Sequence, residues 1–214
     1  MPSRRKATTF HRQADLDRAI RALVKQDPRL APIVEMTGLP ELRRREPGFA
    51  GLARIIVGQQ VSTASANAIW GRVAAAFDPF EPQAVHRSTK PRLARLGLST
   101  PKIKTLKLLA AELHEERLDL SALATMDADI AHERLTALHG VGPWTADVYL
   151  LFCLGHSDAW PAADIAIQEG IKIGFGLEQR PTTKETISHG EAWRPYRGAA
   201  AHLWWRVVHV TRAK

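Results

Sequence analysis

Asp164 closes the segment Pro161-Ala162-Ala163-Asp164 and stands directly before the apolar run Ile165-Ala166-Ile167. A carboxylate in that place has two uses. It can cap the following helix, accepting backbone N–H groups and gaining from the helix dipole. It can also stabilise a positive charge that develops in a reaction, or take a proton from water. Upstream lies Leu138-His139-Gly140-Val141-Gly142-Pro143-Trp144-Thr145-Ala146. Its glycines permit a tight backbone reversal, and Pro143 suits the first turn of a helix. The spacing predicts a helix, a short hairpin and a second helix, with the N–H groups of Gly140, Val141 and Gly142 available to a phosphate. Trp144 and Trp193 carry indole faces that can stack on a flat base or attract a cation, and each can equally be core. Asp147, in the first turns of the second hairpin helix, is most simply a partner of the helix dipole.

Two further stretches join this set. Ile55-Ile56-Val57-Gly58-Gln59-Gln60-Val61-Ser62 lies upstream, and Trp193-Arg194-Pro195-Tyr196-Arg197 downstream. In this order, the four motifs resemble those of the helix-hairpin-helix (HhH-GPD) DNA glycosylases, within them the 3-methyladenine DNA glycosylase II, or alkylbase, branch. The resemblance runs from about Asp15 to the end of the chain. It implies an all-α fold of two helical lobes around a cleft, with the hairpin as the DNA-binding motif.

The resemblance also assigns roles. It makes Asp164 the catalytic carboxylate that stabilises the oxocarbenium-like sugar when an N-glycosidic bond breaks. Trp144 stands where bifunctional members carry a Schiff-base lysine, so the reaction implied is hydrolysis by water without strand cleavage. Trp144, Trp193 and Tyr196 match the base pocket. Gln59 and Gln60 match the site of the wedge that fills the gap left by a flipped base. An apolar residue is usual at Gln60, and proline at His139. The carbonyls of Thr136, Leu138 and Val141 match a site for a structural Na+ or K+, and no cofactor is required by the reaction. The activity implied is removal of alkylated purines of the 3-methyladenine type in base excision repair. The alternatives are the same fold acting on deaminated or oxidised bases, and a damaged-DNA-binding protein without activity.

Composition fits a polyanionic partner. Thirty Lys and Arg against 22 Asp and Glu give a formal net charge of +8, and 45% apolar residues allow a core. Double-stranded DNA with damaged bases is the partner expected of a monomer. Cys153 is the only cysteine, so there is no internal disulfide and no iron–sulfur cluster. A cytoplasmic protein is expected, nucleoid-associated if bacterial, and no apolar run approaches a membrane span. Cys153, Trp70, Trp204 and Trp205 read as core, while Trp160 is open.

These groups must be positioned by helices. Leu16, Ile20, Leu23 and Val24 recur at helical spacing, which predicts a helix over 15–25. Shorter helices are expected to Met36, over 49–57 and 64–77, after Lys90-Pro91 and after Thr100-Pro101. Asp127 is the expected cap of the helix entering the hairpin. Glu41–Glu46 reads as a charge run forming a solvated face or loop, and 178–189 as loop. The last helix is expected over about 195–210. No stretch alternates with period 2, so the chain reads as all-α with about ten short helices. Residues 1–12 are expected to be a flexible basic arm, and 13–214 the glycosylase-like region. Relatives often carry a β-rich N-terminal domain, and with the first helix expected so near Met1 none is expected here.

Overall fold

The computed structural model describes residues 8–212. Among them are twelve α-helices and no strand longer than an isolated bridge. In chain order these are α1 Gln13–Gln26, α2 Ala31–Thr37, α3 Gly48–Gly58, α4 Thr63–Ala76, α5 Pro82–Arg87 and α6 Lys90–Arg95. They continue with α7 Thr100–His114, α8 Ala128–Thr136, α9 Pro143–Val148, α10 Ile165–Phe175, α11 Thr183–Glu191 and α12 Arg197–Arg212. The all-α reading therefore holds.

Most boundaries follow local chemistry. Asp127 and Asp164 accept N–H groups at the starts of α8 and α10, and Ser62 does so for α4. Proline stands in the first turn of α5, α6, α7 and α9. α9 widens after Val148 into one π turn, Tyr149–Leu154, whose six residues are all buried. Cys153 lies inside it, and burial pushes its thiol up to about 12, as befits a core residue.

The helices pack in two groups. α3, α4, α5, α6 and α7 form one; α1, α2, α10, α11 and α12 form the other. α9 and the π turn touch α3, and α8 packs against both of them. α10 and α12 run very close, because Gly170 faces the backbone of Trp204; a Cβ there would come within 2.4 Å of the Trp204 carbonyl oxygen.

Two expectations change. The basic arm divides: residues 1–7 lie outside the described residues, whereas Phe10 is buried and its N–H donates to Gly155 O at 2.6 Å. Thr9 also pairs with His156 in the isolated bridge. The charge run 41–46 is an exposed loop, as expected, from which the Arg44 guanidinium donates to Phe10 O (2.8 Å) and Cys153 O (3.1 Å). The segment read as loop contains α11, begun by a capping box in which Thr182 Oγ1 accepts from Glu185 N and Glu185 Oε2 accepts from Thr182 N.

Candidate active site

α8 ends at Thr136 and the chain reverses through Leu138–Val141, with Val141 N–H donating to Leu138 O at 3.1 Å. Gly140 makes the reversal possible. Its φ is +76°, and a Cβ would fall 2.0 Å from Thr105 Oγ1 on α7. α7 therefore backs the hairpin directly. Gly142 caps α9 with its Cβ position open, and no side chain caps that end, so first-turn N–H groups face outward. Val141 differs from expectation: its N–H is spent inside the turn and the residue is buried, leaving Gly140 and Gly142 as the exposed hairpin glycines.

α3 delivers the other wall. Lys102 on α7 donates to Val57 O at 2.7 Å, holding the C-terminal end of α3. Gln59 Nε2 then donates to Thr145 Oγ1 at 2.8 Å and to Gly140 O at 3.3 Å. Its amide thus braces α3 against the hairpin rather than reaching for a partner outside. Gln60 is the exposed residue at the tip, at φ +55°, a left-handed conformation uncommon for a side-chain-bearing residue.

Between these walls lies a cleft of about 830 Å³. Trp144, Gln59, Gln60, Gly142, Arg45 and Arg54 are among its lining residues, and so is Ala163, immediately before Asp164. Four N–H groups converge on the Asp164 carboxylate. Oδ1 accepts from Ala166 N (2.9 Å), Ile167 N (3.1 Å) and Trp205 Nε1 (3.1 Å). Oδ2 accepts from Trp144 Nε1 at 2.7 Å. All four partners are donors, which suits the acceptor lone pairs of a carboxylate. The capping and chemical uses of Asp164 are therefore divided between its oxygens: Oδ1 is consumed by the helix, while Oδ2 has one partner and retains acceptor capacity.

Trp205 was read as core and is instead half-buried beside the carboxylate, its ring stacked on Phe152 at 5.0 Å. Trp193 is the opposite case. It is fully buried, stacks on His189, meets Trp160 edge-on and donates Nε1–H to Asp27 Oδ2 at 2.9 Å. The Arg29 guanidinium, with the Trp193 N–H assisting, holds the Asp27 carboxyl down at about 2. With no exposed face, Trp193 cannot stack on a base, and its expected pocket role is withdrawn. Tyr196 also leaves the pocket: it borders a separate depression lined by Thr8, Phe10, Asp15 and Ser157.

Asp147 is buried and accepts from His132 Nδ1 at 2.7 Å, so its partner is a histidine on α8 rather than the dipole of α9. Burial raises the carboxyl, and the hydrogen bond to Asp147 raises the imidazole. The carbonyls of Thr136, Leu138 and Val141 sit where α8 ends and the hairpin turns. Leu138 O accepts one N–H and keeps a lone pair, which suits a neutral oxygen ligand for a small cation.

Sequence reasoning missed Arg45 and Arg54. Neither pairs with a carboxylate among the described residues, and no acidic side chain lines the cleft with them. The spacing of Arg54 from buried Ile55 on α3 carried a hint; Arg45 lay hidden in a charge run.

Comparison with known proteins adds four findings. A family described as HhH-GPD superfamily base excision DNA repair protein matches residues 53–195. A Mycobacterium tuberculosis protein named probable bifunctional transcriptional activator/DNA repair enzyme AlkA is 33% identical over 217 residues, covering 92% of this chain and 42% of that protein. The chain thus spans less than half the length of that relative. The crystal structure of a DNA-3-methyladenine glycosidase from Bacillus halodurans superposes with TM-score 0.83 at 29% identity, over 98% of this chain and 95% of the other. A Schizosaccharomyces pombe 3-methyladenine DNA glycosylase, Mag1, in complex with abasic DNA, superposes with TM-score 0.77 at 27% identity, over 87% and 95%.

Proposed function

The chain belongs to the HhH-GPD superfamily of base excision DNA repair proteins, and from that membership we propose that it is a monofunctional DNA glycosylase for alkylated purines of the 3-methyladenine type. The observation that carries the proposal is Asp164, held by the ring N–H groups of Trp144 and Trp205 directly after Ala163, which with Trp144 lines a cleft rimmed by the hairpin.

Double-stranded DNA with a damaged base is the partner in this reading, which the relative solved with abasic DNA supports. The damaged nucleotide swings out of the helix, because the bond to be cut is inaccessible in the stack. First-turn N–H groups of α9 and the exposed glycines hold a backbone phosphate beside it. Gln60, at the tip of its loop, fills the gap and can hydrogen-bond the orphaned base. Trp144 offers its ring to the extruded purine, whose alkylation makes it electron-poor.

Heterolysis of the C1′–N bond leaves both electrons on the base and positive charge on the sugar. Asp164 Oδ2 stabilises that charge and orients a water whose oxygen adds to C1′. Trp144 has no amine, so no Schiff base forms and the strand stays intact. The hairpin carbonyls of Thr136, Leu138 and Val141 would hold a Na+ or K+ as a structural support. The protein acts as a monomer.

The test is chromatography of bases freed from methylated duplex DNA, with the strand analysed in parallel. Free methylpurines with unbroken abasic strands are expected. Release of no base overturns the activity; strand breaks formed together with release overturn the monofunctional assignment.

A further inference from the structure

Among the described residues Arg45 is placed by packing, not by a salt bridge. Its N–H donates to Phe152 O at 2.8 Å, and its guanidinium lies 5.3 Å from the centre of the Phe152 ring. Phe152 stacks on Trp205, which donates to Asp164. Arg45, itself exposed, thus lines the same cleft as Trp144, on the flank where Phe152 supports Trp205. Arg54 is the second cation of that lining, and no acid accompanies them.

That charge bears on the leaving base. A purine alkylated at N3 or N7 is cationic in DNA. When C1′–N9 breaks, the electron pair neutralises it and it departs as a neutral molecule. A neutral lesion keeps the same pair as an anion, which must be stabilised until a proton from water reaches it, while the water's oxygen goes to C1′. An unpaired guanidinium opposes entry of the cation and stabilises the departing anion.

We propose that Arg45 is a specificity-determining residue that biases the cleft towards purine lesions leaving as anions, at the expense of cationic ones. This rests on the glycosylase reading. Arg45 lowers excision of N3- and N7-alkylated bases relative to neutral adducts and deaminated purines, without abolishing it.

The experiment is single-turnover release from two otherwise identical duplexes, one carrying 7-methylguanine and one carrying 1,N6-ethenoadenine, by wild type, Arg45→Gln and Arg45→Lys. The reading is the ratio of the two rates, which is insensitive to the fraction of a variant that is folded. Arg45→Gln is expected to lower the neutral-to-cationic ratio roughly tenfold, and Arg45→Lys, which keeps the charge, to hold it within about threefold. An equal fall on both duplexes would assign Arg45 to a phosphate contact and overturn the proposal, as would an unchanged ratio. Release of neither base by wild type would instead overturn the glycosylase reading and this inference with it.

Discussion

At the scale of single residues, the tryptophans separate by what their N–H groups meet. Trp144 and Trp205 donate to Asp164, one to each oxygen, whereas Trp193 donates to Asp27 deep in the core. The two kinds should fail differently. Trp205→Phe keeps a ring against Phe152 and removes one donor from Asp164 Oδ1. It should lower the rate of base release by about tenfold with little effect on melting. Trp193→Phe should cost about 1–3 kcal/mol of stability by leaving Asp27 without its buried donor, and leave the rate per folded molecule unchanged. Thermal denaturation and single-turnover release on the same preparations measure both. The sequence could not sort these rings. Gly198 to Trp204 on α12 are all buried, so that stretch shows no polar face from which to judge where its neighbours point. Asp164 was legible, because a carboxylate before an apolar helix declares a cap even when its second oxygen does something else.

At the scale of elements, the hairpin depends on its first glycine for shape and on its second for access. Gly140→Ala puts a methyl group onto Thr105 at positive φ and should destabilise the protein by about 1–3 kcal/mol. Gly142→Ala, with open space at its Cβ and an ordinary φ of −84°, should melt as wild type but bind duplex DNA more weakly, because the methyl group stands where a phosphate would approach. Equal melting points for the two variants would show that α7 does not back the hairpin as described. Elements with strong punctuation were readable in the sequence: Asp127, Ser62 and the prolines Pro91, Pro101 and Pro143 placed their helices, whereas the short α5 begun by Pro82 was not expected. α11 was missed although Thr182-Thr183-Lys184-Glu185 has the spacing of a capping box, because its polar face outweighs a short buried one of Thr186 and Gly190. The brace from Gln59 to Thr145 joins residues 86 apart in sequence, a separation that no local pattern reveals.

At the scale of the whole molecule, the buried histidine of α12 sets an acid limit. His202 packs among Phe10, Phe152 and Trp205, its Nδ1 bonded to Gly198 O and its Nε2 without a partner. Burial holds its pKa down at about 4, against 6.5 as the unperturbed value. The unfolded chain therefore takes up a proton in this range before the folded one does. The contribution is fully present above about pH 6.5 and is lost as pH falls towards 4, by up to roughly 3 kcal/mol. Urea denaturation across that window should show a shallower pH slope for His202→Phe than for wild type, and equal slopes would remove His202 from the account. A charge of +8 favours any polyanion whatever its sequence, so DNA affinity alone would say little about the reaction. The most direct measurement of the central claim is single-turnover base release from methylated duplex DNA by wild type and Asp164→Asn, with DNA affinity measured in parallel. The account expects release by wild type, a loss of at least about a thousandfold in the variant, and affinity within a few-fold. Release at the wild-type rate by Asp164→Asn would contradict it, leaving Asp164 as the cap of α10 and nothing more.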